Sequence, residues 1–155
     1  MHELTIGIDP GVSGGIAWGD SEGMELMKMP VEEDLADTIK KISKGCYRVN
    51  VYVEQVNGYI GVGQPGSRMF TFGDNFGQLK GIVRALDYNL ILTRPAAWMK
   101  ALELGTKGER TKTEWKNFLK DSAQELYPKH KIILATSDAA LIFNAGMRGL
   151  LPRSV

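Results

Sequence analysis

The stretch LTIGIDPGVSGGIAWG, residues 4–19, decides how the chain is interpreted. Its first half is an apolar run that ends in a carboxylate, Asp9, and Pro10 and Gly11 then stop the segment. Its second half, GGIAWG at 14–19, is again apolar and predicts a second strand directly after the turn. A carboxylate at the tip of a buried strand indicates a site, although an aspartate before Pro-Gly is also typical of a simple turn.

The rest of the chain alternates between strand and helix patterns. Further strands are predicted at 24–29, 49–54 and 89–94, and helices at 31–42, 73–87, 95–102, 111–127 and 137–150. The glycine-containing stretches 55–72 and 103–110 are interpreted as loops. This order predicts an α/β fold in one domain, 1–155. Its mixed five-stranded sheet would join an antiparallel three-stranded meander to parallel strands, with helices on both faces.

Composition and charge exclude several classes of protein. The formal net charge is +1, but residues 1–60 carry ten acids against five bases, while residues 94–131 carry nine bases against five acids. One end of the molecule can therefore be positive while the total stays near neutral. Cys46 is the one cysteine, which excludes an internal disulfide and CxxC metal sites. We expect a cytoplasmic protein with no signal peptide and no membrane span.

Carboxylates end two of the apolar strands. Glu54 closes the strand VNVYVE (49–54) as Asp9 closes the first one, and Asp138 lies in the first turn of the predicted last helix. If the first and fourth strands are parallel neighbours, Asp9 and Glu54 lie close together, and three converging acids need a cation between them. Oxygen donors alone favour Mg²⁺ or Mn²⁺, and two such ions are a standard device for phosphodiester hydrolysis. Taken singly, Glu54 is equally consistent with a surface charge and Asp138 with helix N-terminal stabilisation.

Four motifs in order resemble the RuvC-type Holliday junction resolvases of the RNase H-like nuclease superfamily. They are IGIDPGVSGGIAW (6–18), VYVEQV (51–56), FGQLKGIV (76–83) with the following TRPAAWMKAL (93–102), and TSDAALI (136–142). The segments RPAAW and KDSAQELYP are most similar to the bacteriophage branch. The resemblance implies an RNase H-like fold and a homodimer that cuts four-way DNA junctions by paired, metal-dependent nicks. It also implies that Asp9, Glu54 and Asp138 are the catalytic metal ligands, with no small-molecule cofactor.

The chain departs from this family's pattern in two places. Many members carry a fourth acid, or a histidine, three or four residues before the last aspartate, where this chain has Ala135 and Leu134. Candidate substitutes are Ser137, Asp74 and Asp121. Some relatives also place an aromatic residue shortly after the second-motif glutamate, where this chain has Asn57. The nearest aromatic alternatives are Tyr59, Phe70 and Phe72.

Binding a branched duplex requires basic side chains near the acids. The predicted DNA-binding residues are Arg68, Arg94, Lys100, Lys107, Arg110, Lys112 and Lys116, together with Tyr59 and Phe72. The basic run at 107–120 is also consistent with a solvated helix face, because Glu114 lies within pairing distance of several lysines. Trp98, Trp115 and Phe118 are expected to pack in the core or at a subunit contact.

Three other functions fit parts of the pattern. The opening IGID-G resembles actin-like ATPases and sugar kinases, but those need a second lobe that 155 residues do not provide. Another RNase H-like nuclease, such as the YqgF type of ribosomal RNA maturation, would share the reaction and differ in substrate. A junction-binding protein that has lost hydrolysis is suggested by Ala135.

Overall fold

The computed structural model describes residues 2–55 and 66–152. Its sheet contains the strands β1 (Glu3–Asp9), β2 (Gly15–Gly19), β3 (Met24–Lys28), β4 (Arg48–Glu54) and β5 (Asn89–Thr93). Their order across the sheet is β3-β2-β1-β4-β5. The first three form an antiparallel meander, whereas β4 runs parallel to both β1 and β5. The predicted mixed sheet is confirmed, with strand ends within about a residue of those expected.

Five helices flank the sheet in the described part of the chain. They are α1 (Glu32–Ile42), α2 (Gly66–Ala85), α3 (Pro95–Ala101), α4 (Lys112–Leu126) and α5 (Leu134–Met147). Helix α1 has acids in its first turn and lysines in its last, as the helix dipole favours. Helix α4 begins with a capping box, in which Thr111 and Glu114 bond each other's backbone N–H groups. Within the described residues, no helix combines the length and hydropathy of a bilayer-spanning segment.

Two apolar cores lie on opposite faces of the sheet. One contains side chains of α1 and α2, including Leu35, Ile39, Leu79 and Val83, against Ile6 and its neighbours. The other contains α3, α4 and α5, whose buried side chains cover the opposite face. Helix α5 is buried along most of its length, so it forms the centre of this second layer. Trp115 and Phe118 stack on each other at 5.3 Å and pack against this core, as expected.

Glycines allow α5 to approach the sheet very closely. A Cβ atom at Gly7 of β1 would lie 2.5 Å from the backbone nitrogen of Phe143 and 2.7 Å from the carbonyl oxygen of Ala139. At Gly15 of β2, it would lie 2.6 Å from the carbonyl oxygen of Ala135. The helix backbone therefore rests directly on strand backbone at these positions, which fixes the position of α5 relative to β1.

Two predicted boundaries are wrong. Residues 66–72 were expected to continue a loop, but they form the first turns of α2. Glycine disfavours a helix only weakly, and contacts of Phe72 and Asn75 with Gly11 stabilise this end of the helix. Helix α5 begins at Leu134 instead of 137, so Asp138 lies in its second turn and not in its first. Residues 56–65 of the predicted loop lie outside the described residues.

Candidate active site

Asp9 and Glu54 lie side by side where two parallel strands end. Ile8 is paired with Val53 across β1 and β4, and the next residues along these strands are Asp9 and Glu54. Glu54 is in turn paired with Thr93, the last residue of β5. The carboxyl ends of the three parallel strands therefore meet at one edge of the sheet, which is where α/β folds usually bind ligands.

The turn after Asp9 is held by α2. Gly11 adopts a positive φ of 101°, which favours glycine, and its N–H donates to Asn75 Oδ1 at 2.7 Å. The ring of Phe72 lies 3.0 Å from where a Cβ atom at Gly11 would be. Phe72 was predicted from the sequence to bind DNA, whereas Asn75, which connects α2 to the Asp9 turn, was not predicted to belong to the site.

Asp138 reaches the same edge from α5. The helix crosses β1 above Gly7, two residues before Asp9, so its second turn lies over the strand end. Ser137 is buried beside it; its hydroxyl donates to the carbonyl oxygen of Leu134 at 3.2 Å and to Asp138 Oδ1 at 3.4 Å. Asp138 lies more than one turn from the start of α5. The simpler explanation, that it stabilises the helix N-terminus, is therefore weakened, because that effect falls off within the first turn.

Burial raises the affinity of all three carboxylates for protons, and neighbouring negative charge adds to this at Asp9 and Glu54. Burial raises the pKa of Asp9 well above its usual range, and the charges of Asp138 and Glu54 raise it further. Burial also raises the pKa of Glu54 to about 7, opposed by a hydrogen bond from Trp98 and assisted by Asp138. The pKa of Asp138 is likewise raised by burial, while Lys116 and the Ser137 hydroxyl lower it. The three acids can therefore be ionised at the same time only if positive charge lies close to them.

A cavity of about 710 Å³ opens beside two of these acids, Asp9 and Asp138. Asp9 and Asp138 line it together with three predicted DNA-binding residues, Arg68, Phe72 and Lys116. Lys116 lowers the pKa of both Asp9 and Asp138, so its ammonium group acts on the acids themselves. Two apolar side chains at the cavity, Val12 and Leu134, are 72% and 52% exposed and were not found as site residues from the sequence.

The other predicted DNA-binding residues in the described part of the chain are not in the lining of this cavity. Lys100 and Lys107 line a second cavity, beside Trp115. Arg94, Arg110 and Lys112 are exposed, and the guanidinium of Arg110 lies 4.6 Å from the ring centroid of Phe118. Tyr59 lies outside the described residues.

No acidic side chain of the described residues replaces the missing fourth acid in an obvious way. Asp74 accepts a hydrogen bond from Gln78 at 3.0 Å on the exposed side of α2, and Asp121 is exposed on α4. Ser137 is the one of the three candidates that lines the cavity with Asp138. Across residues 2–55 and 66–152, no group of three or more His, Cys, Asp or Glu side chains is placed so that it could hold a metal ion as it stands, so the three acids share one sheet edge without forming a preformed three-ligand site.

Two residues near Glu54 were missed as parts of the site. The Trp98 indole N–H donates to Glu54 Oε2 at 2.8 Å, although the sequence suggested only a packing role for this tryptophan. Thr93, beside Glu54 in the sheet, has a buried hydroxyl without a hydrogen-bond partner among the described residues. The bond between Trp98 and Glu54 could have been suspected from the sequence, because a buried indole N–H needs an acceptor and Trp98 follows soon after a strand end.

Comparison with known proteins identifies the fold. No protein-family model and no curated protein sequence matches the chain. The structure of T. thermophilus RuvC in complex with a Holliday junction substrate is similar, with a TM-score of 0.63 and 12% identity over 97% of this chain and 99% of that one.

The chain has the RuvC fold. A second structure of Thermus thermophilus RuvC matches with a TM-score of 0.60 and 13% identity, again over 97% of this chain and 99% of that one. The RuvC fold therefore spans nearly the whole chain, as the motifs predicted. It places the carboxyl ends of β1 and β4 under α5, which explains why three acids separated by long stretches of sequence come together.

Proposed function

We propose that this protein is a structure-selective endonuclease that resolves Holliday junctions and related branched DNA by metal-dependent phosphodiester hydrolysis. The observation that carries the proposal is the convergence of Asp9, Glu54 and Asp138 at one sheet edge, with Lys116 acting on two of them. Buried acids that repel one another are costly for a fold, so their juxtaposition indicates a role. The RuvC fold, and the junction bound to one of its members, supports the choice of DNA substrate.

The carboxylates would hold Mg²⁺ or Mn²⁺, two ions per site. The donor set fits by its chemistry, because it offers oxygen atoms only, and a bound cation would offset the burial that raises the pKa of all three carboxyl groups. Bound there, the ions would supply Lewis acidity for the attacking water and the leaving oxygen. The acids must be ionised to bind the ions, so binding displaces protons from Asp9 and Glu54.

Basic residues at the cavity would hold the scissile phosphate. Arg68 and Lys116 line the same cavity as Asp9 and Asp138 from opposite elements, α2 and α4. Their positive charge offsets the repulsion between the carboxylates and a phosphodiester. Phe72, on the same wall as Arg68, would contact the nucleotide next to it.

The rest of the basic set would hold the arms of the junction. It comprises Arg94, Lys100, Lys107, Arg110 and Lys112, with Tyr59, five residues after Glu54 in the chain, contributing an aromatic ring. The five basic residues lie outside the lining of the cavity at Asp9 and Asp138, and such spread positive charge suits recognition of backbone shape more than of base edges.

A homodimer belongs to the proposal, because two sites related by a two-fold axis would cut opposite strands. The outward face of α2 supports this assembly. Gly73, Gly77 and Gly81 recur at one-turn spacing, and a Cβ atom at each would meet nothing within 4 Å in the described part of the chain. Phe70 on the same face is 77% exposed. Such a face lets a second helix approach closely. Sedimentation of the wild type and of Phe70→Asp tests it, with a monomeric variant as the expected result.

Cleavage of a labelled four-way junction tests the central proposal. Wild-type protein should nick the junction with Mg²⁺ or Mn²⁺ and leave it intact in EDTA. Asp9→Asn should abolish nicking and leave junction affinity largely unchanged, since it removes a metal ligand and no phosphate contact. The proposal fails if Asp9→Asn cuts normally.

The same experiment separates the alternatives. Equal cleavage of linear duplex, flap and four-way substrates would indicate an RNase H-like nuclease with another substrate. Tight junction binding without nicking in either metal would indicate a protein that binds junctions and has lost hydrolysis, as Ala135 suggests.

A further inference from the structure

We propose that Trp98 is a positioning residue that fixes the carboxylate of Glu54 for cation binding through one oxygen. The inference deepens the proposed function and rests on it. The indole N–H donates to Oε2 at 2.8 Å and occupies one of its lone pairs, so Oε1 is the oxygen that Trp98 leaves fully open to a cation. Tryptophan offers a donor and no acceptor, so Trp98 cannot itself be a ligand.

The position of Trp98 follows from the order of elements. Strand β5 lies beside β4 and ends opposite Glu54, and Arg94 and Pro95 then turn the chain directly into α3. Proline suits this helix start, because the backbone N–H that it lacks would have no partner within the helix and its fixed φ is already helical. Trp98 follows three residues later and is therefore brought back towards the end of β4.

The indole is held rigidly. Its side chain is fully buried, at 0% exposure, and packs in the same core as Tyr52 and the apolar side chains of α5. A ring fixed by packing has few rotamers, so its N–H points in a constant direction. The hydrogen bond to an ionised carboxylate is of the stronger, charge-assisted kind. Glu54 is thus oriented by the protein core before any cation arrives.

Residues that orient metal ligands have a measurable effect on metal affinity. Loss of such a partner typically weakens metal binding about 10–100-fold. Phenylalanine at position 98 would keep most of the packed ring and remove the N–H. Trp18→Phe provides a control, because it also removes an indole. Trp18 is half-buried on β2 and packs in the core on the opposite face of the sheet.

Titration of the purified protein with Mn²⁺ by calorimetry, without DNA, tests the inference. Trp98→Phe should raise the Mn²⁺ dissociation constant by about tenfold or more, and Trp18→Phe should leave it unchanged. In a Glu54→Ala background, Trp98→Phe should have no further effect, which a merely structural role would not predict. An unchanged dissociation constant in Trp98→Phe, or an equal loss in the Glu54→Ala background, overturns the inference.

A second measurement needs no substitution at Trp98. In ¹H–¹⁵N spectra, the Trp98 indole resonance, assigned by elimination with Trp18→Phe and Trp115→Phe, should move upfield in Glu54→Ala. On addition of Mg²⁺ to the wild type it should keep its hydrogen-bonded position; a move to the Glu54→Ala position overturns the inference. Wild type that binds no Mn²⁺ would overturn this inference and the proposed function together. Wild type that binds Mn²⁺ and cuts no junction would overturn the proposed function alone.

Discussion

The contact between Gly7 and α5 gives the sharpest prediction about the fold and the site together. A Cβ atom at this position would lie 2.5, 2.7 and 2.8 Å from three backbone atoms of Ala139 and Phe143. Ordinary contact begins near 3.4 Å, so Gly7→Ala requires a displacement of about 0.9 Å at the closest atom. No side-chain rotation can relieve the overlap because all three atoms belong to the helix backbone. The helix itself must move away from β1.

Both stability and activity should report this displacement. Overpacking of a well-packed core costs about 1–3 kcal/mol, and each kcal/mol lowers the melting temperature of a domain of this size by about 2–4 °C. Asp138 moves with α5, and a shift of about 1 Å at a catalytic group can reduce the rate about 100-fold. Gly7→Ala should therefore lower the free energy of urea unfolding and slow single-turnover junction nicking at saturating Mn²⁺.

Gly23→Ala is the matched control. It makes the same chemical change in the turn between β2 and β3, where a Cβ atom meets nothing within 4 Å. Both variants lose the same conformational freedom in the unfolded chain, so their difference isolates the steric effect. If Gly7→Ala unfolds and cuts like Gly23→Ala, the close packing of α5 on β1 does not set the geometry of the site.

Three further substitutions or conditions give separate tests. The pKa of Glu54 is raised to about 7, so this carboxyl holds its proton more tightly in the folded than in the unfolded state. In EDTA, the free energy of unfolding should therefore decrease as the pH rises from about 4.5 through 7, by up to roughly 3 kcal/mol. Saturating Mg²⁺ should reverse this slope, since the ions bind the ionised acids; identical calorimetric pH profiles with and without Mg²⁺ would contradict the metal assignment. Thr93→Val should stabilise the protein by about 1 kcal/mol in urea unfolding, because it removes a buried hydroxyl that has no hydrogen-bond partner within residues 2–55 and 66–152. A loss of stability would mean that the hydroxyl is bonded. Lys116→Gln should reduce nicking and lower the salt slope of junction binding by about one, measured by fluorescence anisotropy, and an unchanged slope would remove Lys116 from the phosphate contacts.

Part of this architecture could be predicted from local sequence. Asp9 and Glu54 each follow an apolar run, so their places at strand ends were evident, and the pairing of β1 with β4 confirms that they are neighbours. The helical part of α2 before residue 73 was missed, because local glycine content argued against a helix. Asn75, whose side chain holds this end of α2 against Gly11, is 64 residues from it in the chain, and no local pattern contains that contact.

The details of the site depend on three-dimensional packing. The sequence suggests burial for Trp98, but its bond to Glu54 joins residues 44 positions apart. Likewise, Gly7 is consistent with any apolar strand, and its role becomes visible only when α5 lies on it. The sequence also does not distinguish basic residues near the site from those elsewhere. Lys116 and Arg68 line the cavity with Asp9 and Asp138, whereas Lys100 and Lys107 line another one.

The position of α5 has a consequence for synthesis in the cell. On the ribosome, Asp9 is made 129 residues before Asp138, a delay of roughly 6 to 26 seconds at ordinary translation rates. Until α5 emerges, one apolar face of the sheet lacks its main cover and the acidic cluster lacks its third member. The proposed site therefore cannot assemble on a nascent chain before residue 138 has left the ribosome, and α5 completes the second core and the acidic cluster together.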